Sequence, residues 1–93
     1  MKRELVRTNA FIRAAKRYAK KNSQVAAEIE SALIRLAADA FDPRLKTHKL
    51  KGDLDGLWAC SAGYDLRIVF EFVEQARREK LLLLSVGTHD EVY

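Results

Sequence analysis

A chain of 93 residues, 48% hydrophobic and 32% charged with a net charge of +4, is long enough for one modest core and too apolar for a disordered protein. Its longest apolar run, Leu81–Leu84, is strand-sized, far short of the roughly 20 residues a membrane helix needs, and the charged N-terminus lacks the apolar stretch of a secretory signal. The lone Cys60 excludes an internal disulfide and a cysteine-rich zinc site, so the expectation is a single cytoplasmic domain over residues 1–93 with no membrane contact.

Glu4–Arg7 reads as a short first strand. Thr8 or Asn9 is a fitting N-cap for a helix that carries Phe11, Ala14, Ala15, Tyr18 and Ala19 on one face. Lys2, Arg3, Arg7, Arg13, Lys16, Arg17, Lys20 and Lys21 accompany them against Glu4 alone. Such clustering suits a polyanion or an acidic protein partner, or only a solvated helix face. Asn22-Ser23 breaks and recaps the chain. Val25, Ile29, Ala32, Leu33, Leu36 and Ala40 make a second apolar stripe, so two helices joined this tightly form an antiparallel hairpin.

Asp42-Pro43 ends the helical region. The polar segment that follows holds a second basic cluster, Arg44, Lys46, Lys49 and Lys51, around His48, with Gly52 and Gly56 as turn points. Beyond it the hydrophobic period changes to two. Leu57–Ser61 is a strand, Ala62-Gly63-Tyr64 a turn, and Asp65–Phe72 the hairpin partner. Leu66, Ile68, Phe70 and Phe72 point to one face, and Asp65, Arg67, Val69 and Glu71 to the other. Val73–Glu79 reads as a polar connection, and Leu81–Val86, apolar on both faces, as a central strand. The tail runs from Gly87 to Tyr93.

The order β-α-α-β-β-β predicts an α+β two-layer sandwich, a helix hairpin on one face of a mainly antiparallel four-stranded sheet with the other face open. On the open side lie Arg67 and Asp65, His48 from the loop, and His89 and Tyr93 from the tail. No phosphate-binding glycine loop, nucleophile triad or metal-ligand spacing competes with this set. Bland readings exist for each: a surface ion pair for Asp65 and Arg67, a solvated loop for His48, and a cap and a frayed end for His89 and Tyr93. Trp58 and Cys60 read as packing residues, and Tyr64 as a turn residue.

His48-Lys49-Leu50-Lys51-Gly52 resembles the His-x-Leu-x-Gly segment of YafQ-type toxins. Asp65-Leu66-Arg67-Ile68-Val69-Phe70 is similar to a strand of the RelE/ParE superfamily, and Gly87-Thr88-His89 with Val92-Tyr93 to its terminal Gly-Thr-His-x-x-hydrophobic-aromatic. Two departures stand out. Ser61 occupies the place of a second family histidine, and Arg67 is more like RelE. The resemblance implies the toxin of a type II toxin–antitoxin system. Such a protein is a ribosome-dependent messenger-RNA endoribonuclease (an mRNA interferase) that inhibits translation and is silenced in a hetero-oligomer with an acidic cognate antitoxin. It implies His48, Asp65, Arg67, His89 and Tyr93 as catalytic, Arg44, Lys46, Lys49 and Lys51 as RNA-binding, and no metal or cofactor. Two alternatives share the fold: a ParE-like inhibitor of DNA gyrase, and a non-catalytic antitoxin-binding homologue.

Overall fold

The structure is a computed structural model and describes residues 2–93. Strand β1 (Glu4–Arg7) leads into helix α1 (Asn9–Lys21), whose N-cap is Thr8: its side chain accepts from the Phe11 N–H. Asn22 closes α1 and caps α2 (Ser23–Ala38), accepting from the Gln24 N–H with its side chain at 2.8 Å. A short 3-10 turn (Pro43–Leu45) and the two-residue strand β2 (His48–Lys49) follow. A second 3-10 turn (Gly52–Leu54) precedes β3 (Trp58–Ala62), β4 (Leu66–Gln75), β5 (Arg78–Thr88) and the short helix α3 (His89–Val92).

The helix hairpin and mainly antiparallel sheet agree with the sequence reading, but the sheet has five strands rather than four, in the order β1-β5-β4-β3-β2. The extra strand is β2 at one edge, where His48 sits opposite Ala59 and Lys49 opposite Trp58. Two residues are too few for an alternating pattern to be read. At the other edge β1 runs parallel to β5, and the remaining pairs are antiparallel.

Val73–Glu79, read as a polar connection, is instead the end of a long hairpin. Gln75 pairs with Arg78, and the turn residues Ala76 and Arg77 have φ of 53° and 63°. This left-handed pair is the geometry that tight hairpins prefer. The sequence offers no Asn-Gly or Gly-Gly there to announce it.

The main core lies between helices and sheet. Phe11, Ile29, Leu33 and Leu36 meet Cys60, Leu66, Ile68, Phe70, Leu81, Leu83 and Val86. A bulge puts both Leu83 and Val86 on this face although they are three residues apart. Val69 pairs with Ser85 and Phe70 with Leu83, which leaves Leu84 as the extra residue.

The second face is not left open. Leu50, Ala59 and Val69 are buried there in a smaller cluster, with Leu54, Leu57, Leu84 and Val92 packed around them. The segment between β2 and β3, and helix α3, therefore fold onto the sheet from opposite sides. No helix among the described residues is long and apolar enough to cross a membrane.

Two residues of α2 give a direct test of this layering. Leu36 is fully buried, whereas Ile34 is 65% exposed. Leu36→Ala should cost about 2–5 kcal/mol in urea unfolding, and Ile34→Ala within about 0.5 kcal/mol of nothing. Equal losses at the two positions would contradict the assigned faces.

Candidate functional site

The face away from the helix hairpin gathers most of the residues expected to act. His48 projects there because its partner Ala59 belongs to the second cluster. Lys49, its neighbour on the strand, therefore points to the opposite side, where its ammonium lies 5.6 Å from the Trp58 ring centre. The His48 motif has a physical meaning. Leu50 is the buried anchor of the segment, and its N–H donates to the Leu57 carbonyl at 2.9 Å. Gly52, with φ of +70°, makes the turn that a side chain would strain.

The His48 ring is oriented by backbone. Nδ1 lies 3.0 Å from the Lys46 carbonyl oxygen. A carbonyl only accepts, so Nδ1 carries a proton and donates, and in the neutral ring Nε2 presents the lone pair. Lys46 itself has a left-handed backbone, φ 53°, at the end of the Pro43–Leu45 turn. Nε2 faces the Tyr93 hydroxyl at 3.5 Å, the outer limit of hydrogen-bond reach. The Tyr93 ring packs edge-on against His89, with centroids 4.5 Å apart. Burial pushes the Tyr93 phenol above its ordinary pKa, the Arg67 charge opposes that rise, and Cys60 adds to it. The hydroxyl is therefore a proton donor at neutral pH.

The tail read as a loose end is thus a structured one. Thr88 and Glu91 form a reciprocal capping box at the start of α3. Glu91 Oε1 accepts from the Thr88 N–H at 2.9 Å and also from the Tyr18 hydroxyl of α1. Gly87 lets α3 lie this close: a Cβ there would come within 3.1–3.2 Å of Val92 and Glu91. Tyr93, 38% exposed, closes the turn with its N–H on the His89 carbonyl. His89 is exposed, with Nδ1 3.5 Å from the Asp90 carboxylate. The sequence places Tyr18 on the apolar face of α1, but nothing local links its hydroxyl to residue 91. The Thr88-x-x-Glu91 spacing was a legible signal.

Arg67 lies between Ser61 on β3 and Gly87 on β5. It is half-buried, and its guanidinium donates to the Leu66 carbonyl at 3.0 Å. Asp65 falls in the turn just before β4 and is exposed. Among the described residues it makes no ion pair with Arg67 and no hydrogen bond to either histidine. Both line an open cleft of about 530 Å³ together with Arg44, Lys46, Ser61 and Tyr64. Of the four basic loop residues, then, Arg44 and Lys46 face this cleft, Lys49 faces away, and Lys51 is exposed beyond Leu50. Cys60 is buried under the sheet, and burial raises its thiol to about 12 despite the lowering influence of Arg67. It stays a neutral thiol and a packing residue. The basic face of α1, with Arg13, Lys16, Arg17, Lys20 and Lys21, is exposed on the helical layer.

A helix hairpin on one face of a five-stranded sheet is the fold of the RelE/YafQ-like toxins. A YoeB/ParE toxin from Agrobacterium tumefaciens is similar, at 19% identity over 92% of this chain and 98% of that one, with a TM-score of 0.77. So is a chain of the Escherichia coli DinJ–YafQ toxin–antitoxin complex, at 16% identity over 100% and 99%, TM-score 0.75. A Staphylococcus aureus YoeB dimer gives 16% identity over 96% and 99%, TM-score 0.72. None of the curated proteins matches the sequence. The model of the YafQ family, bacterial toxins of type II toxin–antitoxin systems, matches residues 3–93. The chain belongs to that family.

Two predictions follow from the tethers. Tyr18→Phe should speed hydrogen exchange of the α3 amides about five-fold, the loss of one hydrogen bond worth about 1 kcal/mol, with the β-sheet amides unchanged. Unchanged α3 exchange would refute the tether. The second concerns Asp42, whose side chain accepts from the Arg44 backbone and clasps its guanidinium at 3.1 and 2.7 Å. Those bonds hold its carboxyl at about 2 instead of 3.8. A depressed folded-state pKa means the clamp contributes fully above pH 3.8 and is lost as pH falls through about 2. The Asp42 carboxyl carbon should titrate near the lower value by NMR; titration near the ordinary one would show the clamp is not formed.

Proposed function

We propose that this toxin is an endoribonuclease that cuts messenger RNA on the ribosome by attack of the 2′-hydroxyl, with no metal or cofactor in the step. The observation that carries the reading is the His48 ring: its proton is committed to the Lys46 carbonyl, and its free Nε2 faces Tyr93 beside His89. RNA cleavage of this kind asks for a base, an acid and a cation on the phosphate.

His48 Nε2 takes the proton of the 2′-hydroxyl, and the freed oxygen attacks phosphorus. The bond from phosphorus to the 5′-oxygen breaks, and His89 delivers a proton to that leaving oxygen. The products are a 2′,3′-cyclic phosphate and a 5′-hydroxyl. Arg67 grips the phosphate as negative charge builds on it. Tyr93 orients the histidines through its ring, and its hydroxyl donates a hydrogen bond to a phosphate oxygen, which leaves His48 Nε2 to the 2′-hydroxyl. Asp65, with no protein partner among the described residues, accepts a hydrogen bond from the substrate at the cleft.

The site is shallow and its acid is solvent-exposed, so productive geometry must come from substrate that is already ordered. A messenger held in the ribosomal decoding site meets that need. The exposed cations of α1 and the loop supply backbone contacts of low sequence content. The similar E. coli protein is solved in complex with an antitoxin, and the charge of this chain fits an acidic one.

Expression alone should arrest growth and produce discrete new 5′ ends within translated messages, and co-expression of the adjacent small open reading frame should abolish both. His48→Ala and Arg67→Ala should each slow cutting by about 10²–10⁴-fold with the melting temperature almost unchanged. DNA-damage signalling without cuts would favour gyrase inhibition. Absence of both toxicity and cuts would mark a non-catalytic antitoxin binder, a reading to which Ser61 in place of a family histidine would then give a reason.

A further inference from the structure

The cleft beside the reaction centre contains a residue that neither the packing nor the proposed chemistry uses. Tyr64 is 96% exposed, the most exposed large hydrophobic side chain among the described residues. Its ring meets none of the aromatic partners that engage Phe41, Trp58, Phe70 and Phe72 with one another. An aromatic ring left in water forgoes the burial that such side chains ordinarily contribute. The turn that bears it starts at Gly63 and sets Tyr64 at the mouth of the same cleft that Arg44, Lys46, Ser61 and Arg67 line.

One of those cations is set in place by the protein itself. Arg44 is clasped by Asp42 through its Nε and one terminal nitrogen, with the backbone N–H making a third bond. Lys46 lines the cleft beside it, and its backbone carbonyl, in a left-handed turn, accepts from the His48 ring. The Arg44 and Lys46 side of the cleft and His48 therefore belong to one short stretch of chain, and Arg67 lines the cleft across from them. A flat π-face flanked by cations, one of them oriented, is the chemistry that receives one unstacked nucleotide of single-stranded RNA, base on the ring and phosphate on the cations.

We propose that Tyr64, Arg44 and Lys46 form a nucleotide subsite next to the scissile bond, in which Tyr64 stacks the base adjoining the one whose 2′-hydroxyl reacts. The proposal rests on the reading of the chain as an RNA-cleaving toxin. The subsite fixes where along the message the phosphate meets Arg67, because a base held on Tyr64 sets the register of the strand.

The test uses the full-length protein in two assays. In the first, wild type, Tyr64→Ala and Tyr64→Trp cut message on programmed ribosomes. In the second, a short single-stranded RNA carrying 2-aminopurine is titrated with each, since stacking quenches that fluorophore. Tyr64→Ala should raise KM about ten- to a hundred-fold with little change in kcat, keep the wild-type melting temperature and lose the quenching. Tyr64→Trp should restore both. If wild type cuts and Tyr64→Ala matches it in KM and quenching, the subsite is wrong and the enzyme stands. If wild type cuts nothing yet quenches through Tyr64, the subsite stands and the activity reading fails. Failure of Tyr64→Trp to rescue a defective Tyr64→Ala would overturn stacking as the role of the ring.

Discussion

The candidate site depends on a small apolar cluster on the face of the sheet that faces away from the helix hairpin. Leu50, Ala59 and Val69 are buried there, and Val92 packs against them. Burial of a leucine or valine side chain contributes about 1.5–3 kcal/mol. That is enough to hold a loop that would otherwise lack regular structure and a helix too short to persist alone. Leu50 draws His48 down onto the edge of the sheet from one side, and Val92 draws His89 and Tyr93 from the other. Without the cluster, the two histidines would belong to separate mobile segments.

Around that cluster the polar groups are arranged so that each proton has one sensible place. The Lys46 carbonyl fixes the proton on Nδ1 of His48. Burial keeps the Tyr93 hydroxyl protonated, with the nearby Arg67 charge opposing the shift. The buried Cys60 thiol is held near 12 and takes no part. The Glu91 carboxylate is occupied by the Thr88 N–H and the Tyr18 hydroxyl, so it serves α3 as a strut. The exposed side of the site is left to His89, Asp65 and the cleft cations, the groups free to meet a large anionic substrate.

The layers were legible because their signals are periodic. The α1 and α2 stripes and the alternation through Leu66, Ile68 and Phe70 placed the main core correctly, and Thr8 and Asn22 cap where their side chains allow. What escaped was set by tertiary contacts. Strand β2 is two residues long and exists because Leu50 finds a pocket. The Ala76-Arg77 turn carries none of the usual turn residues. Val69 looked like an outward residue on a polar face and is instead part of the second core. His48, His89, Arg67 and Tyr93 could be gathered on one face from pattern and resemblance. Which nitrogen of His48 is free, how Lys49 turns away, and the lack of an ion pair between Asp65 and Arg67 depend on tertiary contacts that no local pattern encodes.

The central claim is that histidines and an arginine on this face direct a 2′-hydroxyl against the adjoining phosphate. The chemistry of the cut ends tests it most directly. Message cleaved on purified ribosomes should carry a 2′,3′-cyclic phosphate, or the 3′-phosphate formed when it opens, upstream of each cut and a 5′-hydroxyl downstream. Treatment with polynucleotide kinase should then be required before the downstream fragment can be ligated. A 3′-hydroxyl with a 5′-phosphate would mean that water or another external nucleophile attacks, and would contradict the assignment of His48 as base and His89 as acid.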